Sequence, residues 1–446
     1  MTPVDASSPE PSTSQIARNI LALAAPTTLL ASLQLAAQLV ETALAARQGT
    51  AALAGWAVVL PFALLMQQMS TGAMGGGVVA AIARALGAQR RDEAAALVLH
   101  AIIIAVLGGL AFALGLSAFG GWMLDAVAGP QAAQAATAYV WWLFGVGAVP
   151  VWLTNTFASV LRGGGRHALA ARSLTLMWLV YPVLAWALAE PAGLGLTGLG
   201  LAFALVSWVA ALVMAVTVLR GGAGFMPTLR ARPTKLLFVR ILSVGAVACA
   251  LATIANLTTI LVTAQLRSYG TVAVAAYGIS ARLEFMMIPL SFGIGAALTA
   301  LVGRSVGAGE WRTARRTAWT GGLMALAVTG VAGLGVGLMP LAFVSVFTAD
   351  PEVARIAALA LSWIGPAFGG FGLGMAMYFA AMGAQRMRWP IVAGLTRLSL
   401  AVLLGGWLAN TLGWGLQGHF VGVALGISAY GVLAAAGVRP GVWSAR

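Results

Sequence analysis

The chain has 446 residues, 61% of them hydrophobic and 8% charged, with a net charge of +14 and a mean hydropathy of +0.94. Soluble domains carry roughly 25% charged residues, so a soluble protein is excluded. Repeated apolar runs of about 20 residues or more mark a polytopic membrane protein. The basic residues fall in short segments between those runs, which is not the footprint of a nucleic-acid surface.

Residues 1–17, MTPVDASSPEPSTSQIA, are polar and rich in Ser and Pro, and are expected to form a disordered cytoplasmic tail. They hold no basic residue to open a secretory signal, so the apolar run that follows is expected to be retained as the first span. Twelve spans are predicted, at roughly 20–45, 53–80, 94–118, 137–160, 169–189, 195–219, 241–266, 272–302, 317–347, 354–382, 390–410 and 417–437. Several exceed the length needed to cross, so tilt, kinks or extension beyond the lipid must take up the surplus. The single cysteine, Cys249, permits no disulfide within the chain and is expected to be a small buried apolar side chain.

The connections alternate in charge. Of the 25 basic residues, Arg47, Arg267 and Arg355 lie on one side and Arg282 and Arg397 lie within spans; all the others fall on the opposite side. By the positive-inside rule that richer side is cytoplasmic. Both termini are then expected inside, as an even number of spans requires.

A shift of about 220 residues lays one half of the chain over the other. Gly49-Thr50 falls on Gly270-Thr271, Arg84 on Arg304, Gly87-Ala88 on Gly307-Ala308, Gly163 on Gly383 and Arg166 on Arg386. Six spans separate each pair, so the repeat is parallel. The join, RGGAGFMPTLRARPTK at 220–235, reads as a cytoplasmic linker. The expected organisation is an all-α polytopic protein of two pseudo-symmetric six-helix lobes, with a tail at 1–17, a first lobe at 18–219, a linker at 220–239 and a second lobe at 240–446. Two facing lobes make a cleft that can open alternately to either side, which suits transport better than catalysis.

The same residues carry a likeness. LAAP at 23–26 is followed fifteen positions later by Glu41; GTAALAG stands at 49–55 and ALGAQ at 85–89. The second half has YGTVAVAAYGISARLE at 269–284 and VGRSVGAGEWRTARR at 302–316. As an ordered set over nearly everything after residue 17, these resemble the multidrug and toxic compound extrusion (MATE) family of cation-coupled exporters, with the RLE stretch pointing to its DinF-like branch. The resemblance implies a V-shaped molecule with a central cavity, which exports drug-like and often cationic organic molecules in exchange for H⁺ or Na⁺. It also implies cation coupling at Glu41, where the family commonly has Asp. The family's sodium pattern of Asn and Asp one turn apart in span five is replaced here by Met177 and Tyr181, which favours the proton.

Two acidic residues, Glu41 and Glu284, lie within spans. A charge at that depth costs about 3 kcal/mol or more and is by default a functional candidate. A carboxyl in a poorly solvated cavity can gain and lose a proton near neutral pH. At 1.5 Å per residue Glu284 lies roughly 18 Å into its span. Arg397, approaching from the other side, reaches a compatible depth and can pair with it. Arg282 stands two residues away, on a different helix face, and is the weaker partner unless the helix bends near Pro289. Glu284 is thus either a protonatable or substrate-facing site tuned by Arg397 or Arg282, or a buried ion pair that fixes packing. Glu41 is either the coupling carboxylate or a group reaching interfacial water near Arg47.

Pro26, inside span one, is a candidate hinge. Gln34 and Gln38 share a face with Glu41. With Gln67, Gln68, Asn155, Tyr181, Asn256, Met286 and Met287 they are the candidates for lining a substrate cavity, against the ordinary reading of helix-packing contacts. An enzyme is excluded by the want of a catalytic constellation: His100, His167 and His419 are scattered, and GGGR at 163–166 lacks the strand and the Lys-Ser/Thr of a phosphate loop.

The functional expectation is therefore a cation-coupled antiporter, H⁺ favoured over Na⁺. It would export drug-like amphipathic or cationic molecules from a bacterial inner membrane as a monomer, without cofactor, metal or nucleic-acid partner. The alternative is a flippase or exporter for a lipid-linked or other endogenous metabolite.

Overall fold

A computed structural model of the chain describes residues 11–444, all of them helix or connecting segments. Twelve membrane-length elements follow one another: α1 (Thr13–Arg47), α2 (Thr50–Gly87), α3 (Arg91–Ala128), α4 (Pro130–Gly163), α5 (His167–Ala189), α6 (Gly195–Leu219), α7 (Lys235–Tyr269), α8 (Thr271–Gly307), α9 (Trp311–Leu338), α10 (Pro351–Ala384), α11 (Arg388–Asn410) and α12 (Leu416–Ala436). Eleven are long and apolar enough to span by themselves, and α4 is a pair of helices bent by 43° at Gly147. The twelve expected spans are all present, most of them longer at their ends than the apolar runs that marked them. In a bilayer the backbone must satisfy itself, so helices persist through Pro26, Pro61, Pro182 and Pro289.

The ends are set by local chemistry. α1 starts earlier than its apolar run because the Ser12 hydroxyl accepts from the Gln15 N–H at 3.2 Å, so residues 13–17 are helix rather than tail and Ile16 is buried. The expected tail at 1–10 lies outside the described residues. α10 starts where Asp350 accepts from the N–H groups of Glu352 (2.8 Å) and Val353 (3.2 Å), with Pro351 in the first turn.

The repeat extends to the backbone. Gly49 and Gly270, which start α2 and α8, have φ/ψ of 98°/169° and 94°/172°. After α2 the left-handed position is Gln89 (φ 58°), and its equivalent after α8 is Gly309 (81°). After α4 it is Gly165 (81°), and after α10 it is Gln385 (59°). Each half thus keeps the turn while using Gln where the other uses Gly, although a non-glycine residue there costs about 1–2 kcal/mol.

The chain forms two compact units. The first, Ala25–Thr253, has a core built around Leu97, Phe144, Phe157, Leu161 and Met214. The linker is part of it: Phe225 and Ala223 are buried, the Thr228 N–H donates to the Ala95 carbonyl (3.2 Å) and the Thr234 N–H to His100 Nε2 (2.9 Å). Glu93, in the first turn of α3, pairs with Arg90 (3.0 Å) and with Arg240 of α7. The start of α7 also lies so close to α2 that a Cβ on Gly77 would stand 2.7 Å from the Ile241 carbonyl oxygen.

The second unit comprises the residues up to Ala24 together with Ile254–Arg446. One part of its core gathers Leu361, Ile364, Phe368, Phe420 and Ile427. The other gathers Ile16 and Ile20 of α1 with Ile294, Leu298, Met377 and Trp443. The segment after α12 is tied down as the linker is after α6: Arg315 Nη1 donates to the Trp443 carbonyl (2.6 Å) and Trp319 Nε1 to that of Val438 (2.9 Å). Because α1 changes unit between Ala24 and Ala25, Pro26 stands two residues from that change.

Candidate functional site

Among the described residues, each unit holds one carboxylate well inside a span. In the first, Glu41 of α1 accepts a 2.8 Å hydrogen bond from the Tyr139 hydroxyl of α4 and a 3.2 Å bond from Trp56 Nε1 of α2. The Tyr181 hydroxyl of α5 is buried beside the same carboxylate but stands outside hydrogen-bond geometry and has no other partner. Tyr181 is wedged edge-on between Trp178 (6.0 Å) and Phe203 (5.6 Å), with Met177 buried one turn earlier. All these donors are neutral. Arg47, near which the alternative reading placed Glu41 in interfacial water, pairs with Glu190 at 3.4 Å, and Gln48 donates to the same Glu190 carboxylate at 3.2 Å.

Tyr139 is placed by an irregularity. It lies two residues before a π-helical stretch, Trp141–Val146, which leads into the bend of α4. Such widened turns are frequent at functional positions because they re-aim the side chains around them. A second one, Met69–Met74, interrupts α2. At its start, Asn155 Nδ2 of α4 donates to Gln67 Oε1 (2.9 Å) and Ser70 Oγ (2.8 Å), a polar cluster that ties α2 to α4. Gln34 and Gln38 are half-buried on α1, with no side-chain bond to another described residue; Gln68 and Asn256 are half-buried in α2 and α7.

In the second unit, Glu284 of α8 forms a hydrogen-bonded ion pair with Arg397 of α11, their side chains 10% and 11% exposed. The guanidinium lies over the rings of Phe371 (5.6 Å) and Tyr430 (5.9 Å), contributed by α10 and α12. Arg397 is followed, three residues on, by the third π-helical stretch, Leu400–Leu404. The pairing expected from depth is therefore present.

Two expectations are corrected. Arg282 is not an ion-pair partner: it is exposed and has no hydrogen bond or ion pair with the described residues, because it lies on the helix face away from Glu284. Met287 is a core residue, 6% exposed among Leu283, Phe371 and Phe420, whereas Met286 is 41% exposed. Trp56 and Tyr139 were absent from the sequence candidates. The available signal was tyrosine scarcity: of six in the chain, Tyr139 and Tyr181 flank Glu41, Tyr277 stands two turns before Glu284 on the buried face of α8, and Tyr430 lies under Arg397.

Among the described residues no group of three His, Cys, Asp or Glu side chains converges as metal ligands do. The fold and its two carboxylate centres define a multi-pass helical membrane protein built from two copies of one bundle. The MatE family model matches it twice, over residues 26–187 and 246–407, and the chain belongs to that family, whose members are transporters rather than enzymes. It is similar to two proteins described as probable multidrug resistance protein NorM. One, from Xanthomonas campestris, is 28% identical over 37% of this chain; the other, from Xylella fastidiosa, is 26% identical over 54%. These matches span 36% and 52% of the relatives' own lengths. Among solved structures, a MOP superfamily transporter from Pyrococcus furiosus, described by the reverse polarity of its binding pocket, has a TM-score of 0.89 at 19% identity, with 96% of each chain covered. The Vibrio cholerae MATE transporter VcmN, in its bent form, has a TM-score of 0.86 at 22% identity, covering 95% of this chain and 96% of that one. At these identities the likeness is one of fold.

Proposed function

We propose that this protein is a cation-coupled antiporter that exports drug-like amphipathic molecules by alternating access, with H⁺ as the coupling ion. The observation that carries the reading is the environment of Glu41: one carboxylate bonded by two neutral aromatic donors, a third aromatic hydroxyl buried beside it, and no cationic partner among the described residues. A carboxylate paired to arginine is already neutralised and has little need of a second cation. One held only by neutral donors keeps its charge available to an incoming cation, and loses it again on release.

The proton is favoured over sodium by ligand type. A hard cation is held by several oxygen ligands, whereas the groups that meet Glu41 present an indole N–H and phenolic O–H groups, with the Met177 side chain next along α5. Family membership and the likeness to NorM proteins support small-molecule export. The uneven basic residues support an orientation with both ends cytoplasmic, and the near-absence of Lys beside Arg supports a bacterial inner membrane. A monomer suffices, since each carboxylate centre is completed within a single chain.

The test is uptake of a fluorescent cationic dye by proteoliposomes under an imposed proton or sodium gradient. The proton gradient is expected to drive it and the sodium gradient to leave it unchanged. Glu41→Gln is expected to lower gradient-driven uptake at least tenfold while dye counterflow persists. Full gradient-driven uptake by that variant would remove Glu41 from coupling. Failure of both gradients with a broad panel of dyes would favour a flippase for an endogenous metabolite.

A further inference from the structure

One end of the second unit is built from arginine set on tryptophan. Arg386, in the turn between α10 and α11, lies over the Trp311 ring of α9 at 5.5 Å and donates to the Ser444 carbonyl at 3.1 Å. Arg439, just beyond α12, lies over the Trp389 ring of α11 at 5.4 Å. These contacts bring the start of α9, the start of α11 and the segment after α12 onto one surface. Arg388, beside Trp389, is exposed and has no hydrogen bond or ion pair with the described residues. A guanidinium stacked on an indole uses its face and keeps its in-plane N–H donors, which match phosphate oxygens two at a time.

The protein offers these arginines little negative charge. In the second half Glu310 is the one acidic residue in the basic connections, and it has no ion pair with the described residues. The first unit treats its own basic end differently, since Glu93 pairs with both Arg90 and Arg240. A shift of 220 residues places Arg312 at Asp92, Thr313 at Glu93, Arg388 at Ala168 and Trp389 at Leu169. The second copy has therefore exchanged two carboxylates for an arginine and a threonine, and two small or apolar residues for an Arg-Trp pair.

Helix length fixes the level of this surface in the bilayer. α11 has 23 residues and α12 has 21, about 35 Å and 32 Å long at 1.5 Å per residue. The hydrocarbon layer is about 30 Å thick, and any tilt shortens the span further. Helices that only just cross leave both ends at the interface. Arg388 and Trp389, the first two residues of α11, thus stand at the headgroup level that tryptophan favours, as does Arg439, three residues past α12. From Arg388 an exposed stripe runs into the hydrocarbon along α11: Val392 (47% exposed), Leu395 (45%), Ser399 and Leu403 (70%), at helical spacing. On the neighbouring α12, Val432 is 65% exposed. The surface is cationic at its rim and apolar below.

We propose that Arg388, Trp389 and Arg439 form a binding site for an anionic phospholipid. Its phosphate lies at the two guanidinium groups and an acyl chain runs along Val392 and Leu395. Charge selects the occupant: a lipid with a net negative headgroup gains from both arginines, whereas a choline headgroup brings its own cation to them. The apolar stripe beneath favours a lipid over a free inorganic anion, which would leave it uncovered. The site is separate from both carboxylate centres, and its test does not depend on what is transported or how transport is energised.

The experiment is native mass spectrometry of the purified full-length protein in detergent, titrated with equal amounts of dioleoyl phosphatidylglycerol and dioleoyl phosphatidylcholine. The wild-type protein is expected to take phosphatidylglycerol first, by at least about tenfold, from roughly 1 kcal/mol for each arginine near a charged surface. Arg388→Gln with Arg439→Gln is expected to bring that preference below about threefold. Arg220→Gln with Arg230→Gln, which removes two exposed arginines from the linker, is expected to leave it unchanged. Equal binding of the two lipids by the wild-type protein overturns the proposal, as does a linker variant that loses as much preference as the Arg388 and Arg439 variant, since net charge alone would then explain it. Inorganic phosphate at millimolar concentration is expected not to displace phosphatidylglycerol; displacement would assign the arginines to a free anion and overturn the lipid site. Should the Arg388 and Arg439 variant fold poorly, the wild-type preference and the phosphate competition still decide.

Discussion

Glu41 and Glu284 are each a lone carboxylate among apolar helices, and the two units treat them differently. Around Glu284 the second unit supplies a full positive charge and backs it with two aromatic faces. Around Glu41 the first unit supplies only neutral donors. Coulomb attraction in a poorly solvated interior is strong, so the centre at Glu284 is closed by its partner, whereas Glu41 has no opposite charge paired with it among the described residues and is the one to which the proposed function assigns the exchangeable cation. Equivalent bundles can thus differ in kind: one carries an ion pair that joins helices α8 and α11 and rests on rings of α10 and α12, the other a carboxylate that only neutral groups meet.

The largest expected effect follows from breaking the closed centre. Arg397→Leu leaves Glu284 buried without its partner and should destabilise the protein by about 3–5 kcal/mol, visible as a drop in thermal unfolding temperature and in folded yield. Adding Glu284→Leu to that variant should recover much of the loss, because removing both charges also removes their desolvation cost. A single Arg397→Leu variant as stable as the parent would show that the pair does not hold these helices.

The open centre should respond less. Tyr139→Phe removes the 2.8 Å hydrogen bond to the Glu41 carboxylate, and a bond to a charged group contributes about 1.5–3 kcal/mol. A double-mutant cycle with Glu41→Gln, read by thermal unfolding, should show coupling between the two residues. Tyr181→Phe should cost less than about 1 kcal/mol, since that hydroxyl makes no hydrogen bond to lose. A larger cost for Tyr181→Phe than for Tyr139→Phe would reverse the assignment of donors.

What the sequence could reveal follows the same division. The twelve spans and the repeat were legible because lipid demands long apolar helices and leaves few alternatives. Glu41 and Glu284 stood out because charge is rare where they lie. The Arg397 pairing followed from depth along two helices, and the weakness of Arg282 as a partner from its two-residue offset. Trp56 could not be read, and Tyr139 only through the scarcity of tyrosine, because aromatic residues in spans serve equally as anchors and packing, and only tertiary contact brings α2 and α4 onto Glu41. The early start of α1 and the π-helical stretches were hidden too, since hydropathy carries no record of a cap or a widened turn. Met286 and Met287 look alike in composition and differ by one position of helical phase, which alone decides that one is exposed and the other core.

The smallest effect is expected where the first unit does have an ion pair. Arg47 and Glu190 meet at 3.4 Å with side chains 65% and 27% exposed. Pairs that water can reach contribute about 0–1 kcal/mol and weaken with salt. Arg47→Gln should therefore change thermal unfolding by no more than a degree or two by the usual scaling, and should leave gradient-driven dye uptake at the parent level. Glu41 lies six residues back along α1 and takes no contact from that guanidinium. If Arg47→Gln instead cut coupled uptake as deeply as Glu41→Gln, the carboxylate would be drawing on a positive charge after all, and the contrast between an open and a closed centre would no longer separate the two units.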